Sequence, residues 1–485
     1  MARGRTGIEH LLRRAGFGAG PEELTSYEDM STFELLDRLL NFDDLPDDVD
    51  SKIGNASYIG VVARAGGFVP NTNIEDARQR WLFRMVHSTR PLQEKMALFW
   101  HNHFATAYSK IAGTVPAAAA TKMLANKEGA LPGPRGQYEL FRAEGMGSFR
   151  DLLIAVAKDP AMLVWLDGRN NTRTRPQENF GREIMELFTL GVGNYTEQDV
   201  YAAARVFTGW NLRLVNRGND NDTYYEYVYV PNNHEATAKT FTFPIYNDGG
   251  MTIPARAAAG GEQDGIDFIT ALARHPATAR RLARKLWNFL VSETEAPDEA
   301  TLNTAASVYL QSGTQIKPLV AFLLRSRESL SPANYHSRYS WPVEFAIRAI
   351  KEVGWTGFTV DAVRAPLTAM GQTLFEPPDV AGWELGQGWF STGAMVARMN
   401  FASTLAANQR FNLARAAVDA KGSPDSFVEY FLDRLSAAPY DKDPHADLLT
   451  YVQTGAAWTG SDAQVQAKAA GVTRLIIGSS EYQLV

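Results

Sequence analysis

The chain has 485 residues, 45% of them hydrophobic and 21% charged, enough to bury a large core, so disorder is excluded. A formal net charge of −6 leaves no chain-wide basic field for nucleic acid or anionic lipid. The absence of cysteine removes disulfides, thiolate nucleophiles and Cys-based zinc or iron–sulfur sites.

In chain order, the basic start at residues 1–10 is followed by no apolar run of signal-peptide length, because Glu9, Arg13 and Arg14 interrupt it. The expected compartment is the cytoplasm by default, or outside the cell if a leader has been lost. No segment approaches the roughly 20 apolar residues of a transmembrane helix. Apolar residues at helical spacing recur instead, as at Leu35, Leu36, Leu39 and Leu40, at Leu152, Leu153 and Val156, and at Leu282, Leu286, Phe289 and Leu290. These predict a mainly α fold: one large multi-helix body with a small β-hairpin insertion.

The segment Pro91 to Phe104 reads as a helix with proline in its first turn, ending in Trp100-His-Asn-His103-Phe104. At 100° per residue, His103 falls with Leu92, Met96 and Phe99, while His101 points nearly opposite, with Glu94 and Ala97. The two imidazoles can share one metal or act together as bases only if the helix ends near Asn102. The same pattern suits a core histidine bonded to backbone beside a surface one.

Pro176 to Leu190 reads as a second helix with proline just inside its start. Glu178, Arg182 and Glu186 follow one another along one face beside Asn179 and Glu183, with Phe180, Ile184, Leu187 and Phe188 opposite. Glu183 and Glu186, three apart, suit a shared cation, and Arg182 suits a carboxylate or phosphate held by both arms of its guanidinium. A solvated face with Arg182 bridging its neighbours explains the pattern equally well. Gly191-Val-Gly-Asn194 then ends the helix, and Thr196-Glu-Gln-Asp199 resembles a capping box opening the next.

Strand formers from Tyr224 to Val230 and from Lys239 to Phe243 predict the hairpin, over residues 222–243, with His234-Glu235 in its loop as a further candidate ligand or base. The helix from His275 to Trp287 gathers Arg280, Arg281, Arg284 and Lys285, suited to an anionic substrate or to the acidic helix before it. No glycine-rich phosphate loop is present in a strand–helix context. The loop Trp383 to Phe390, in a chain with ten tryptophans, offers an aromatic platform for carbohydrate.

Taken in order, the motifs resemble a bacterial family of unknown function, DUF1800. The matching stretches are His10-Leu-Leu-Arg-Arg-Ala-Gly-Phe-Gly18, Phe99-Trp-His-Asn-His-Phe104, Asp159-Pro-Ala-Met162, Glu178-Asn-Phe-Gly-Arg-Glu-Ile-Met-Glu186, Tyr195-Thr-Glu-Gln-Asp-Val200, Phe207-Thr-Gly-Trp210, His275-Pro-Ala-Thr278, Met370-Gly-Gln372 and Pro377-Pro-Asp-Val-Ala-Gly-Trp383. The chain departs from that family's usual pattern at His234-Glu235, where His-Asp is common, and at Phe188, where many members carry histidine. The resemblance implies a bacterial source and one shared architecture, and brings no established reaction, substrate or cofactor.

The expectations are a helical core over 1–330 with a C-terminal helical region over 331–485 packed on it. The candidate catalytic residues are His101, His103, Glu178, Arg182, Glu183 and Glu186. His101, Glu183, Glu186 and His234 are the candidate ligands of a divalent metal (Mg, Mn, Fe or Zn) in a hydrolase or oxidoreductase, with Arg182 anchoring a small anionic substrate. The rivals are a non-catalytic binding or scaffold protein built on a buried polar network, and a carbohydrate- or polymer-binding protein. No nucleic-acid partner is expected.

Overall fold

A computed structural model describes residues 5–216, 218–435 and 444–485; the basic start at residues 1–4 lies outside them. The described residues are mainly helical, with 22 α-helices and two small antiparallel strand pairs. Among them no helix is long and apolar enough to cross a membrane.

The organising element is the helix Pro91–His103, which carries proline in its first turn and is capped by Phe104. All of its residues are buried, the charged ones included. A helix surrounded on every side cannot be amphipathic, so its polar side chains must find partners inside. Glu94 accepts from Arg84 on the helix Ile74–His87, from Arg142 on the helix Gln137–Glu144, at 2.9 Å each, and from Tyr138 at 2.7 Å. Lys95 pairs with Glu344, which also accepts from Arg338, and donates to the Gly16 carbonyl at 3.0 Å. Both faces of this helix are thus tied to distant parts of the chain.

Segments on the two sides of residue 330 are joined by several such links. Arg14 donates to the Asn334 carbonyl and to Ser337, Gly60 and Thr359 form a parallel bridge, and the N–H of Trp383 donates to Asn102 at 2.7 Å. Gly382 makes the last contact feasible: its φ is +90°, and a Cβ there would lie 2.3 Å from the Asn102 Oδ1.

The acidic helix differs in detail from its expectation. It runs Glu178–Glu183 with Gln177 as its N-cap, so Pro176 precedes the helix instead of entering its first turn. The next residues, Ile184–Phe188, form a π-helical turn. The Thr189 hydroxyl donates back to the carbonyl of Ile184, the first residue of the widened turn, at 2.6 Å. Gly191 and Gly193 then turn the chain at φ +82° and +87°, and the capping box of Thr196 and Asp199 opens the helix Glu197–Val206 as the sequence indicates. Gly181 lets these two helices touch, since a Cβ there would lie 2.9 Å from the Ala203 Cβ.

The hairpin is present with a different partner strand. Tyr224–Tyr229 (β2) pairs back onto Trp210–Val215 (β1), with Trp210 opposite Tyr229, and not forward onto Lys239–Phe243. Lys239–Thr240 (β3) pairs instead with Thr252–Ile253 (β4). Leu212 and Leu214 in β1 lie opposite Tyr227 and Tyr225, aromatic–aliphatic pairing that favours this register.

Candidate active site

The candidate residues fall into four separate environments. His101 is 2% exposed, its Nε2 accepts from the Phe375 N–H at 3.0 Å, and its ring lies edge-on to Trp81 and Trp383. Burial, with a smaller push from Arg78, lowers its pKa to about 3, so the ring is neutral at ordinary pH. It fastens the segment around Phe375 to the central helix.

His234 is 2% exposed and sits beneath the hairpin. Its Nδ1 lies 2.8 Å from the Thr208 carbonyl and its Nε2 3.3 Å from Asp264, which also holds Lys239 at 2.6 Å. Glu235 faces away to Arg205. This node pins β3 to the helix Glu262–Arg274.

Glu178 and Arg182 lie at the surface. Arg182 gives both arms of its guanidinium to Glu197 on the following helix, at 2.8 Å each, with Glu178 at 3.5 Å. Its fork is filled by a carboxylate of its own chain.

His103, Glu183 and Glu186 belong to the fourth environment, at the π-turn. The His103 Nε2 lies 3.0 Å from the Phe188 carbonyl, the last residue of that turn, and its Nδ1 lies 3.1 Å from the Lys285 Nζ. The carbonyl fixes the proton on Nε2, so Nδ1 accepts from the lysine. Burial, then Lys285 and Arg281, hold His103 well below its ordinary value. Burial, then Arg281, lower Lys285 to about 7, so much of this amine is uncharged at neutral pH.

Lys285 and Arg281 come from one face of the helix Pro276–Leu290, whose leucines pack inward. Arg281 donates to the Leu187 carbonyl at 3.2 Å and lies within the field of Glu186. Among the described residues no carboxylate forms an ion pair with it. Glu186 accepts from the Tyr195 hydroxyl. Glu183 beside it is raised by burial and by the Glu186 charge, which favours its protonated form. The sequence offers Arg280, Arg281, Arg284 and Lys285 as a complement either to an anionic substrate or to the acidic helix; the pairing of Lys285 with His103, 182 positions away in sequence, carries no local signal.

The expected metal ligands therefore do not gather. Among the described residues no group of three or more His, Asp or Glu could hold a metal ion. The His101 ring is enclosed by Trp81, Phe375 and Trp383, and His234 is committed to Thr208 and Asp264, so neither meets Glu183 and Glu186. The aromatic loop is also turned inward: Trp383 is 5% and Trp389 4% exposed, leaving no ring platform from these two tryptophans. Packing against Trp341 and His101 explains both.

Neither a curated protein nor a solved structure matches the chain. A family model described as a protein of unknown function, DUF1800, matches residues 10–484, and the chain belongs to that family.

Proposed function

We propose that the protein is an enzyme that acts on a small carbonyl compound bearing an anionic group, with Lys285 as the nucleophile. The observation that carries this reading is the chain from the Phe188 carbonyl to His103 at 3.0 Å and from His103 to the Lys285 Nζ at 3.1 Å. It has the geometry of an activated nucleophile: burial and Arg281 leave the amine partly uncharged, and His103, itself oriented by a third group, fixes the direction of the amine by accepting from it. The Lys285 nitrogen attacks the carbonyl carbon, the amine proton passes to the carbonyl oxygen, and loss of water leaves an imine. Arg281 holds the anionic group, and solvent supplies the proton with which the hydroxyl departs as water. A protonated imine draws electrons from the neighbouring carbon, so the reaction class is proton abstraction or carbon–carbon chemistry next to a carbonyl.

The test is reductive trapping with pyruvate or glyoxylate and borohydride, followed by peptide mapping. The expected result is a stable secondary amine at Lys285 in the wild type and none in a folded Lys285→Met variant. Absence of label at Lys285 with either acid, while surface lysines label, would overturn the reading.

A second reading, a non-catalytic scaffold, is favoured by the full burial of the helix Pro91–His103 with its ion pairs. It expects Lys285→Met to change stability alone, with Lys285 no more reactive than any other lysine.

A further inference from the structure

Away from the π-turn, the helix Pro21–Thr25, the end of the helix Ile74–His87 and the turn after Val353 enclose a cleft of about 900 Å3. That volume lies within the roughly 300–1,000 Å3 of small-molecule sites. Its floor is aromatic: His87 packs edge-on to Tyr58 at 4.9 Å and to Trp355 at 4.8 Å, both of which line the cleft half-buried. The His87 Nε2 accepts from the Ile59 N–H at 3.0 Å, so the neutral ring carries its proton on Nδ1, which has no acceptor among the described residues. Burial, then Lys351 and Lys52, lower its pKa to about 3, keeping that donor neutral.

The charges of the cleft are largely spent. Lys351 is held by Glu23 at 2.9 Å, and Arg434 donates to the carbonyls of Glu352 and Val353. Arg38 lies over the Tyr27 ring. Two rings, an unpaired neutral donor and exposed Glu22 and Asn412 at the rim suit a ligand with an apolar ring face and many hydroxyls. A phosphate would find no cluster of free cations here.

We infer that this cleft binds a neutral oligosaccharide, one sugar ring lying against Tyr58 and Trp355 and its hydroxyls bonded to His87, Asn412 and Glu22. The inference is independent of the chemistry at Lys285.

The test is calorimetric titration of the full chain with cellopentaose, maltopentaose, xylopentaose and chitopentaose, with ATP and inorganic phosphate as alternatives. One or more of the sugars is expected to bind. Trp355→Ala should weaken that binding about tenfold, the worth of a stacked ring. Asn412→Ala, at an exposed position, should weaken it without disturbing the fold and decides the matter if Trp355→Ala does not fold. No heat with any of the sugars, binding unchanged in the folded variants, or displacement of the sugar by ATP or phosphate would overturn the inference.

Discussion

Replacing Glu94 by alanine is expected to destabilise the protein by about 3–5 kcal/mol, the cost of breaking a buried charge network and leaving Arg84 with only Asp47 and Asp50 and Arg142 with only Asp47 and Glu139 as counter-ions. The Glu94 side chain is fully buried, as is that of Arg84, and Arg142 is 6% exposed, so the field between them is little screened. Burial alone would raise the Glu94 pKa, yet Arg142 and Arg84 outweigh it and hold the carboxyl below its ordinary value. Alanine would leave two guanidiniums and the Tyr138 hydroxyl short of an acceptor and open a cavity in the central helix. Urea unfolding monitored by tryptophan fluorescence checks the size. A loss below about 1 kcal/mol, the range of exposed pairs, would mean that water reaches these charges.

Glu344→Gln is the second large effect, and it carries a pH signature. Burial raises the Glu344 carboxyl, but Arg338 and Lys95 bring it down from 4.5 to about 2. A group whose pKa is depressed by folding contributes stability that is complete above its unfolded value and is lost as pH falls through the folded one. The wild type is therefore expected to lose stability progressively from about pH 4.5 towards pH 2. Glu344→Gln should lose about 3 kcal/mol at neutral pH and show a flatter acid limb, because that titration is gone. Thermal unfolding of both proteins across this range checks the sign and the slope.

Much of the helical framework was legible in the sequence. Leu282, Leu286, Phe289 and Leu290 are all buried, as their spacing predicts. The 100° arithmetic that sets His101 and His103 on opposite sides holds because the helix runs through His103. That same fact separates the two imidazoles, His101 towards Phe375 and His103 towards Phe188.

The site was less legible because its decisive contacts are tertiary. A π-turn shifts the hydrogen-bond register without altering the apolar pattern that announces a helix, so Ile184–Phe188 reads as ordinary helix. Arg182, Glu178 and Glu186 share a face on paper, yet Glu197 of the next helix captures the arginine. The strand Trp210–Val215 carries no separate boundary signal in the sequence, because it follows a helix with a tight turn at Gly209 between them. Full burial of Glu94 and Lys95 contradicts the usual habit of charged residues, and only their partners, far away in sequence, make it tolerable.

The most direct test of the central claim is the pH dependence of Lys285 reactivity, measured by trace acylation of the native chain and peptide mass spectrometry. Burial and the Arg281 charge predict half-maximal reactivity near pH 7, with the amine increasingly reactive above it. A Lys285 that titrates near the ordinary 10.5, together with the exposed lysines, would contradict the account.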